Sequence, residues 1–104
     1  MLRGEVWWAE LPALVGRRPV LLLSRNKAIQ VRRSVTVAQI TSTVRGIPTE
    51  VSLGPADGLP KDCAANADVL MTIPKERLKA KIGALRPDKL RAAEAAVKFA
   101  LALP

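Results

Sequence analysis

The sequence contains no histidine and no tyrosine, and only one of its 104 residues is a cysteine. Without histidine there is no imidazole general base, no histidine-ligated zinc site and no Ser-His-Asp hydrolase. The single cysteine, Cys63, excludes an internal disulfide and a site with several cysteine ligands. We interpret Cys63 as a small buried residue with no part in the chemistry. These absences exclude histidine-dependent nucleases and hydrolases.

Long apolar runs are lacking too. No stretch approaches the roughly 20 apolar residues that a membrane span needs, and residues 1–5 turn acidic before a signal-peptide core can form. A chain of 104 residues is long enough for one domain with its own core. We therefore predict that residues 1–104 form a single domain and that the protein is cytoplasmic.

Acidic side chains are few, with 9 against 17 basic ones, which gives a net charge of +8. The imbalance is concentrated near the start of the chain, because residues 1–45 hold eight basic side chains and only Glu5 and Glu10 as acids. A surface of this kind most often binds phosphate backbones. The alternative is a basic protein whose charges serve only solubility.

The most informative stretch is residues 16–26, in which two arginines and a proline precede four apolar residues. An apolar run of this length, bounded by turn formers, predicts a strand buried on both faces. We expect Pro19 at its first position, where a missing N–H costs the sheet least. Arg18 would then be held in place at the mouth of a rigid strand, which makes it the first functional candidate. The alternative is a rim arginine paired with Glu5 or Glu10.

The remaining pattern predicts a mainly β protein with a C-terminal helix. The other strands are expected at residues 5–11, 34–41, 47–53, 67–73 and 78–85, with a basic loop at 25–33. A helix is expected from Pro87 to Leu103, because proline suits its first position and Leu90, Ala93, Val97 and Leu101 form one apolar stripe. Short strands followed by one helix favour a small antiparallel sheet barrel.

Several segments together resemble the MazF/PemK toxins of bacterial toxin–antitoxin modules. In chain order they are residues 3–7, 16–21, 40–43 and 47–51, Asp62-Cys63 with Asn66, residues 72–75, Ile82-Gly83 and residues 99–101. The resemblance covers nearly the whole chain. It implies a PemK/CcdB-like, SH3-like barrel and a homodimer that cleaves single-stranded RNA at short sequences without a metal ion or cofactor. It also implies a cognate antitoxin, whose acidic segment we expect in the RNA groove.

The resemblance assigns the catalytic roles to Arg18 and Thr41. In metal-free RNA cleavage the substrate's 2′-OH attacks the phosphate and leaves a 2′,3′-cyclic phosphate and a 5′-OH. The planar guanidinium of arginine matches phosphate oxygens with two hydrogen bonds but is a poor base. We therefore expect Arg18 mainly to stabilise the transition state, and a role as general base stays open. Thr41 would bond the phosphate or orient the leaving oxygen; as a strand-end residue it has a purely structural alternative.

Further polar residues are candidates for RNA contacts. They are Arg17, Ser24, Arg25, Asn26, Lys27, Arg32, Arg33, Thr43 and Arg45. The basic ones suit phosphate contacts that position RNA without reading its sequence, and one tryptophan, Trp7 or Trp8, could stack on a base. For the loop charges the alternative is a solvated face, and for the tryptophans it is the core.

Three other functions remain open from the sequence. The first is a CcdB-type toxin that poisons gyrase, although this chain lacks the Trp-Gly-Ile ending on which that type depends. The second is an RNA-binding barrel that does not cleave. The third is a structural or chaperone-like module, which no specific residue pattern supports.

Overall fold

The computed structural model describes residues 1–11 and 16–104, and within these it contains six strands and two α-helices. The strands are β1 (Glu5–Glu10), β2 (Arg17–Leu22), β3 (Ser34–Thr41), β4 (Glu50–Leu53), β5 (Cys63–Pro74) and β6 (Leu78–Ala84). The helices are α1 (Asn26–Val31) and α2 (Pro87–Ala100). In the described part of the chain, neither helix has the length and apolar character that a membrane span requires.

The six strands form one antiparallel sheet in the order β4-β5-β3-β2-β1-β6. The chain therefore forms a curled, mainly β structure closed by a C-terminal helix, which confirms the predicted fold class. Strand β2 lies inside the sheet, between β1 and β3. It begins at Arg17, which pairs with Glu10, so Pro19 is its third residue and not its first as predicted.

Strand β2 contributes to two hydrophobic clusters, one on each face of the sheet. Val20 and Leu22 pack into a cluster that contains Ile29 of α1, and all three are at most 2% exposed. Leu21 faces the other cluster, which contains Ala93 and Ala96 of α2. The prediction of a strand buried on both faces is confirmed. The two arginines at its start are therefore carried by a strand whose second half is packed on both faces.

The predicted basic loop at residues 25–33 is wrong in its middle, where the chain forms α1. Ala28 and Ile29 are buried, and this apolar contact stabilises a helix too short to be stable alone. Lys75 satisfies the C-terminal end, because its Nζ donates to the carbonyl oxygens of Ile29 at 2.5 Å and Arg32 at 3.2 Å. Tertiary packing thus stabilises a helix in a segment whose composition predicts a loop.

Three element boundaries differ from the prediction by three or four residues. Strand β4 begins at Glu50 and not at residue 47. Strand β5 begins at Cys63, four residues before the predicted start, because residues 63–66 pair with β4 despite their low β propensity. Helix α2 ends at Ala100, since Ala102 has a left-handed φ of 56° and the N–H of Leu103 bonds the carbonyl of Lys98. Leu101, the last residue of the predicted stripe, is exposed.

Glu5 is a buried carboxylate on β1, with 6% of its surface exposed. Its Oε1 accepts hydrogen bonds from Trp7 Nε1 at 2.9 Å and from the N–H of Leu2 at 3.0 Å, and its Oε2 lies 3.1 Å from Lys81 Nζ. Burial acts to raise the pKa of Glu5, but the bonds from Trp7, Leu2 and Lys81 outweigh it and lower the pKa below its ordinary value.

This lowered pKa makes stability depend on pH in a predictable direction. The ionised carboxylate stabilises the fold above its unfolded pKa of about 4.3, and this contribution is lost as the pH falls through the lower folded pKa. We expect Glu5→Gln to flatten the fall in unfolding free energy between about pH 5 and pH 2, as measured by urea denaturation at several pH values. Glu10→Gln, an exposed change on the same strand, is the control. Equal slopes for Glu5→Gln and wild type would contradict the prediction.

Candidate active site

A groove opens where β2 and β3 separate. Their ladder ends at the pair Val20–Gln39, beyond which β3 continues to Thr41 on β5 and β2 continues to Arg17 on β1. Pro19 is the first β2 residue beyond that last pair, and having no N–H it cannot donate to a ladder. The groove has a volume of about 510 Å³. The start of β2 and the end of β3 therefore border an open groove that can receive a ligand.

Cations and hydroxyl groups dominate the polar lining of this groove. The lining residues with cationic, hydroxyl or amide side chains are Arg17, Arg18, Lys61, Thr41, Ser42 and Gln39. Among the described lining residues there is no carboxylate. A lining that offers hydrogen-bond donors and positive charge, without acidic groups, suits an anion such as a phosphodiester.

The guanidinium of Arg18 is exposed and directed to the groove. Its Nη1 donates to the carbonyl oxygen of Arg17 at 3.1 Å, and it forms no salt bridge with the described residues. The two acids have other partners: Glu10, next to Ala9 that pairs with Arg18, lies 3.9 Å from Lys79, and Glu5, at the other end of β1, lies 3.1 Å from Lys81. The alternative in which Arg18 pairs with Glu5 or Glu10 at the rim is therefore wrong.

Thr41 is half-buried at the end of β3, and its Oγ1 accepts a hydrogen bond from the N–H of Thr43 at 3.1 Å. This local turn fixes the hydroxyl oxygen in place while its own hydrogen stays available for donation. The structure thus brings Arg17, Arg18 and Thr41 to one groove. They approach it from two strands that diverge.

The two tryptophans of β1 lie on opposite faces, as their adjacent positions require. Trp7 packs against the cluster that contains Val20 and donates its Nε1 hydrogen to Glu5. Trp8 lines the groove. Trp7 thus takes the core position that was the alternative for the tryptophans, and Trp8 is the one that a base in the groove could reach.

The other predicted RNA contacts do not line the groove. Ser24, Arg25 and Arg32 line a separate cavity near the start of β3, whereas Thr41 ends that strand. The remaining residues are distributed as follows: Asn26 accepts a bond from the N–H of Arg3 at 2.7 Å, and Lys27, Arg33, Thr43 and Arg45 are exposed. Of the predicted RNA-contact set, Arg17 lines the groove, three residues line the second cavity, and the other five line neither.

Sequence reasoning missed Gln39, Ser42 and Lys61 as groove residues. Lys61 lies 20 residues beyond Thr41 in the chain and reaches the groove because β5, which begins two residues later, pairs with the end of β3. No local pattern signals that approach. Cys63 also lines the groove, and burial, together with Asp57 and Asp62, raises the pKa of its thiol. It therefore stays protonated at neutral pH, in agreement with a packing role.

Glu50 fixes the segment between Thr41 and β4. Its Oε1 accepts hydrogen bonds from the backbone N–H groups of Arg45 at 2.9 Å and Gly46 at 3.0 Å. Gly46 has a left-handed φ of 68°, which a glycine adopts without strain. One carboxylate oxygen thus holds the turn that follows the groove.

Removing this acceptor should loosen the turn. We expect Glu50→Ala to lower the unfolding free energy by about 1–3 kcal/mol, since hydrogen bonds to charged groups are the stronger kind, and to speed hydrogen exchange at the amides of Arg45 and Gly46. Glu50→Gln keeps an acceptor oxygen and should retain most of the protection. Amide exchange followed by NMR measures both. Equal exchange rates in the alanine and glutamine variants would show that the hydrogen bonds do not hold the turn.

The family of this chain follows from its sequence as a whole. Residues 2–101 match the pattern of the PemK-like, MazF-like toxins of type II toxin–antitoxin systems. The chain belongs to this family. It is 41% identical over 100 residues to the probable endoribonuclease MazF5 of Mycobacterium tuberculosis (strain ATCC 25618 / H37Rv), a match that covers 95% of this chain and 91% of that protein.

Solved structures of MazF-like toxins have the same fold. An endoribonuclease in complex with its cognate antitoxin, from a mycobacterial species, superposes with a TM-score of 0.88 at 34% identity, over 100% of this chain and 97% of that one. The Mycobacterium tuberculosis toxin MazF-mt6 gives a TM-score of 0.88 at 35% identity, over 96% of this chain and 98% of that one. The fold that carries the groove is therefore that of MazF-like toxins along at least 96% of the chain.

Proposed function

We propose that this chain, as a single toxin domain of residues 1–104, is the endoribonuclease of a type II toxin–antitoxin system and acts in the cytoplasm on single-stranded RNA. The observation that carries the proposal is the acid-free groove, in which two arginines and a threonine converge in a member of the MazF-like family. Relatives with this fold are named endoribonucleases. Cleavage of RNA by the toxin would stop translation and growth.

The proposed reaction uses a nucleophile that the substrate provides. The 2′-hydroxyl of one nucleotide gives up its proton and its oxygen attacks the adjacent phosphorus, the bond from phosphorus to the 5′-oxygen breaks, and the departing 5′-oxygen takes up one proton, so that protons balance. The products carry a 2′,3′-cyclic phosphate and a 5′-OH. Negative charge accumulates on the phosphorane oxygens in the transition state, so positioned donors accelerate the step.

Arg18 is suited to that charge, because it is exposed to the groove and forms no salt bridge among the described residues. The planar guanidinium matches phosphate oxygens with two hydrogen bonds, so the main role of Arg18 is to stabilise that charge. Thr41 donates its hydroxyl hydrogen to the phosphate or to the leaving oxygen. Arg17 and Lys61 position the backbone of the RNA, and Trp8 offers a surface on which an unpaired base stacks.

The same positive groove explains how the toxin is silenced. A cognate antitoxin would place an acidic segment against Arg17, Arg18 and Lys61 and so exclude RNA. One solved relative is an endoribonuclease in complex with its antitoxin. We further propose a homodimer, as expected for a toxin of this family.

The test is incubation of the purified protein with a mixed single-stranded RNA in excess EDTA, followed by analysis of the product ends. We expect fragments with cyclic phosphate and 5′-OH ends. Bound but intact RNA would instead support the non-catalytic barrel. Intact RNA together with inhibition of gyrase supercoiling would support the CcdB-type alternative.

A further inference from the structure

A second cavity lies near the start of β3, beside α1. Six of its lining residues carry hydroxyl or guanidinium groups: Ser24, Arg25, Arg32, Ser34, Thr36 and Thr72. Its volume is about 220 Å³, and no carboxylate occurs among its described lining residues. We refer to it as the α1 cavity. Four hydroxyl groups and two guanidinium groups in one small space form a donor-rich environment.

The hydrogen bonds inside the α1 cavity leave donors available. Ser24 Oγ accepts the N–H of Thr36 at 2.8 Å, so the hydroxyl hydrogen of Ser24 is not used in that bond. The Oγ1 atoms of Thr36 and Thr72 lie 2.8 Å apart and share one hydrogen, which leaves the other hydroxyl hydrogen for a ligand. Arg25 and Arg32 form no salt bridges with the described residues. An acceptor-only ligand satisfies all of these groups.

The cavity wall is held in place by contacts that do not involve a ligand. Ala28 and Ile29 anchor α1 to the core, and the N–H of Ile29 donates to the carbonyl of Arg25 at 3.1 Å. Lys75 Nζ bonds the carbonyl of Arg32, and the N–H of Lys75 bonds that of Arg33 at 2.8 Å. The backbones that carry both arginines are therefore fixed before anything binds, which lowers the entropic cost of binding.

We propose that the α1 cavity is a second phosphate-binding site for single-stranded RNA, separate from the groove where cleavage is proposed to occur. Thr36 and Thr41 are five residues apart on β3 and so about 17 Å apart. A ligand confined to the groove therefore does not reach the cavity, and under this proposal only an RNA long enough to span both sites contacts the two together. The cavity therefore adds affinity for long RNA. This inference rests on the proposed function only in that RNA is the ligand.

The chemistry of the lining favours RNA over an acidic peptide. Phosphate oxygens in nucleic-acid complexes are bound by arginine together with serine and threonine hydroxyls, the set found here. Peptide segments usually gain affinity from apolar side chains in apolar pockets. Ala28 is the one aliphatic residue among the described lining residues. The α1 cavity offers no such pocket.

The test measures binding to RNA that cannot be cleaved. Fully 2′-O-methylated RNAs of about 4 and about 20 nucleotides span the range of known single-strand site sizes, and their affinities are compared by fluorescence anisotropy. We expect the double variant R25Q/R32Q to bind the long RNA roughly tenfold more weakly and the short RNA unchanged. The slope of log affinity against log salt concentration should become shallower by about 0.7 for each phosphate that the variant no longer binds. The double variant R91Q/K98Q, which removes two exposed charges from α2, is the matched control.

A second variant distinguishes a phosphate site with specific hydroxyl donors from a non-specific patch of positive charge. T36V/T72V keeps the net charge. Valine is β-branched like threonine and suits a strand, so the melting temperature should stay near that of wild type. Removing the two hydroxyl donors should weaken long-RNA binding a few-fold without changing the salt dependence. If T36V/T72V bound the long RNA as tightly as wild type, the proposal of a phosphate site with specific hydroxyl donors would be wrong.

Other outcomes would overturn the proposal as well. Equal reductions in affinity for short and long RNA, or reductions in R25Q/R32Q that match those in R91Q/K98Q, would show that only net charge matters. If R25Q/R32Q bound an oligoglutamate peptide more weakly than wild type but bound RNA equally well, the cavity would be assigned to an acidic protein segment. Because the probe lacks a 2′-OH, these results do not depend on cleavage. A wild-type protein that fails to cut RNA would refute the proposed function alone.

Discussion

Replacing Arg18 with alanine is expected to lower the rate of RNA cleavage on the order of 10²–10³-fold or more, by analogy with the removal of one preorganised oxyanion donor. Arg18 is exposed to the groove and forms no salt bridge with the described residues, so its guanidinium can meet the charge that develops on the phosphate. The measurement is single-turnover cleavage in excess EDTA. The melting temperature should change little, because the side chain is exposed.

Two further variants sharpen this prediction. Arg18→Lys keeps the charge but loses the planar fork, so we expect only partial activity. Arg17→Ala, the matched control on the adjacent residue, removes the same charge and should reduce activity less, mainly through KM. Full cleavage by Arg18→Ala would keep the proposed activity and move the catalytic role to another groove cation, with Arg17 and Lys61 as the next to replace.

Replacing Leu21 with alanine is expected to lower the unfolding free energy by about 2–5 kcal/mol. Leu21 is 1% exposed on the inner strand β2 and packs in the cluster that contains Ala93 and Ala96 of α2. Because small residues line this interface, neighbouring side chains cannot extend to fill the vacated space. Urea denaturation monitored by circular dichroism measures the change.

The control for this substitution is the same change at an exposed position. Leu103 is 53% exposed beyond the end of α2, so Leu103→Ala should stay within about 0.5 kcal/mol of wild type. If Leu21→Ala proved equally mild, the interface between β2 and α2 would not contribute to stability as its burial indicates.

Parts of the fold could be predicted because local sequence and tertiary structure agree there. The apolar run of β2 is buried on both faces, and Pro87 and the stripe at Leu90, Ala93 and Val97 form a helix that packs on the sheet. Such segments carry their pattern within a few residues. The place of Arg18 near the start of β2 could be predicted for the same reason, because it is adjacent to Pro19, whereas its catalytic role stays a prediction.

Other parts depend on contacts that no local pattern encodes. Helix α1 exists because Ile29 enters the core and Lys75, 46 residues further along the chain, bonds its carbonyl oxygen. Strand β5 begins early because an alanine-rich stretch pairs with β4. Lys61 reaches the groove only through the pairing of β5 with β3. The division of the basic residues between the groove and the α1 cavity likewise follows from where β3 begins and ends.

The packing of β2 on both faces has a consequence for how the protein loses activity. Val20, Leu21 and Leu22 are at most 1% exposed, so we expect their amides to exchange hydrogen mainly through opening of the whole structure. Arg17 and Arg18 are carried on that same cooperative unit. We therefore expect heat or denaturant to displace the two groove arginines of β2 mainly when the strand that carries them unfolds with the rest of the sheet.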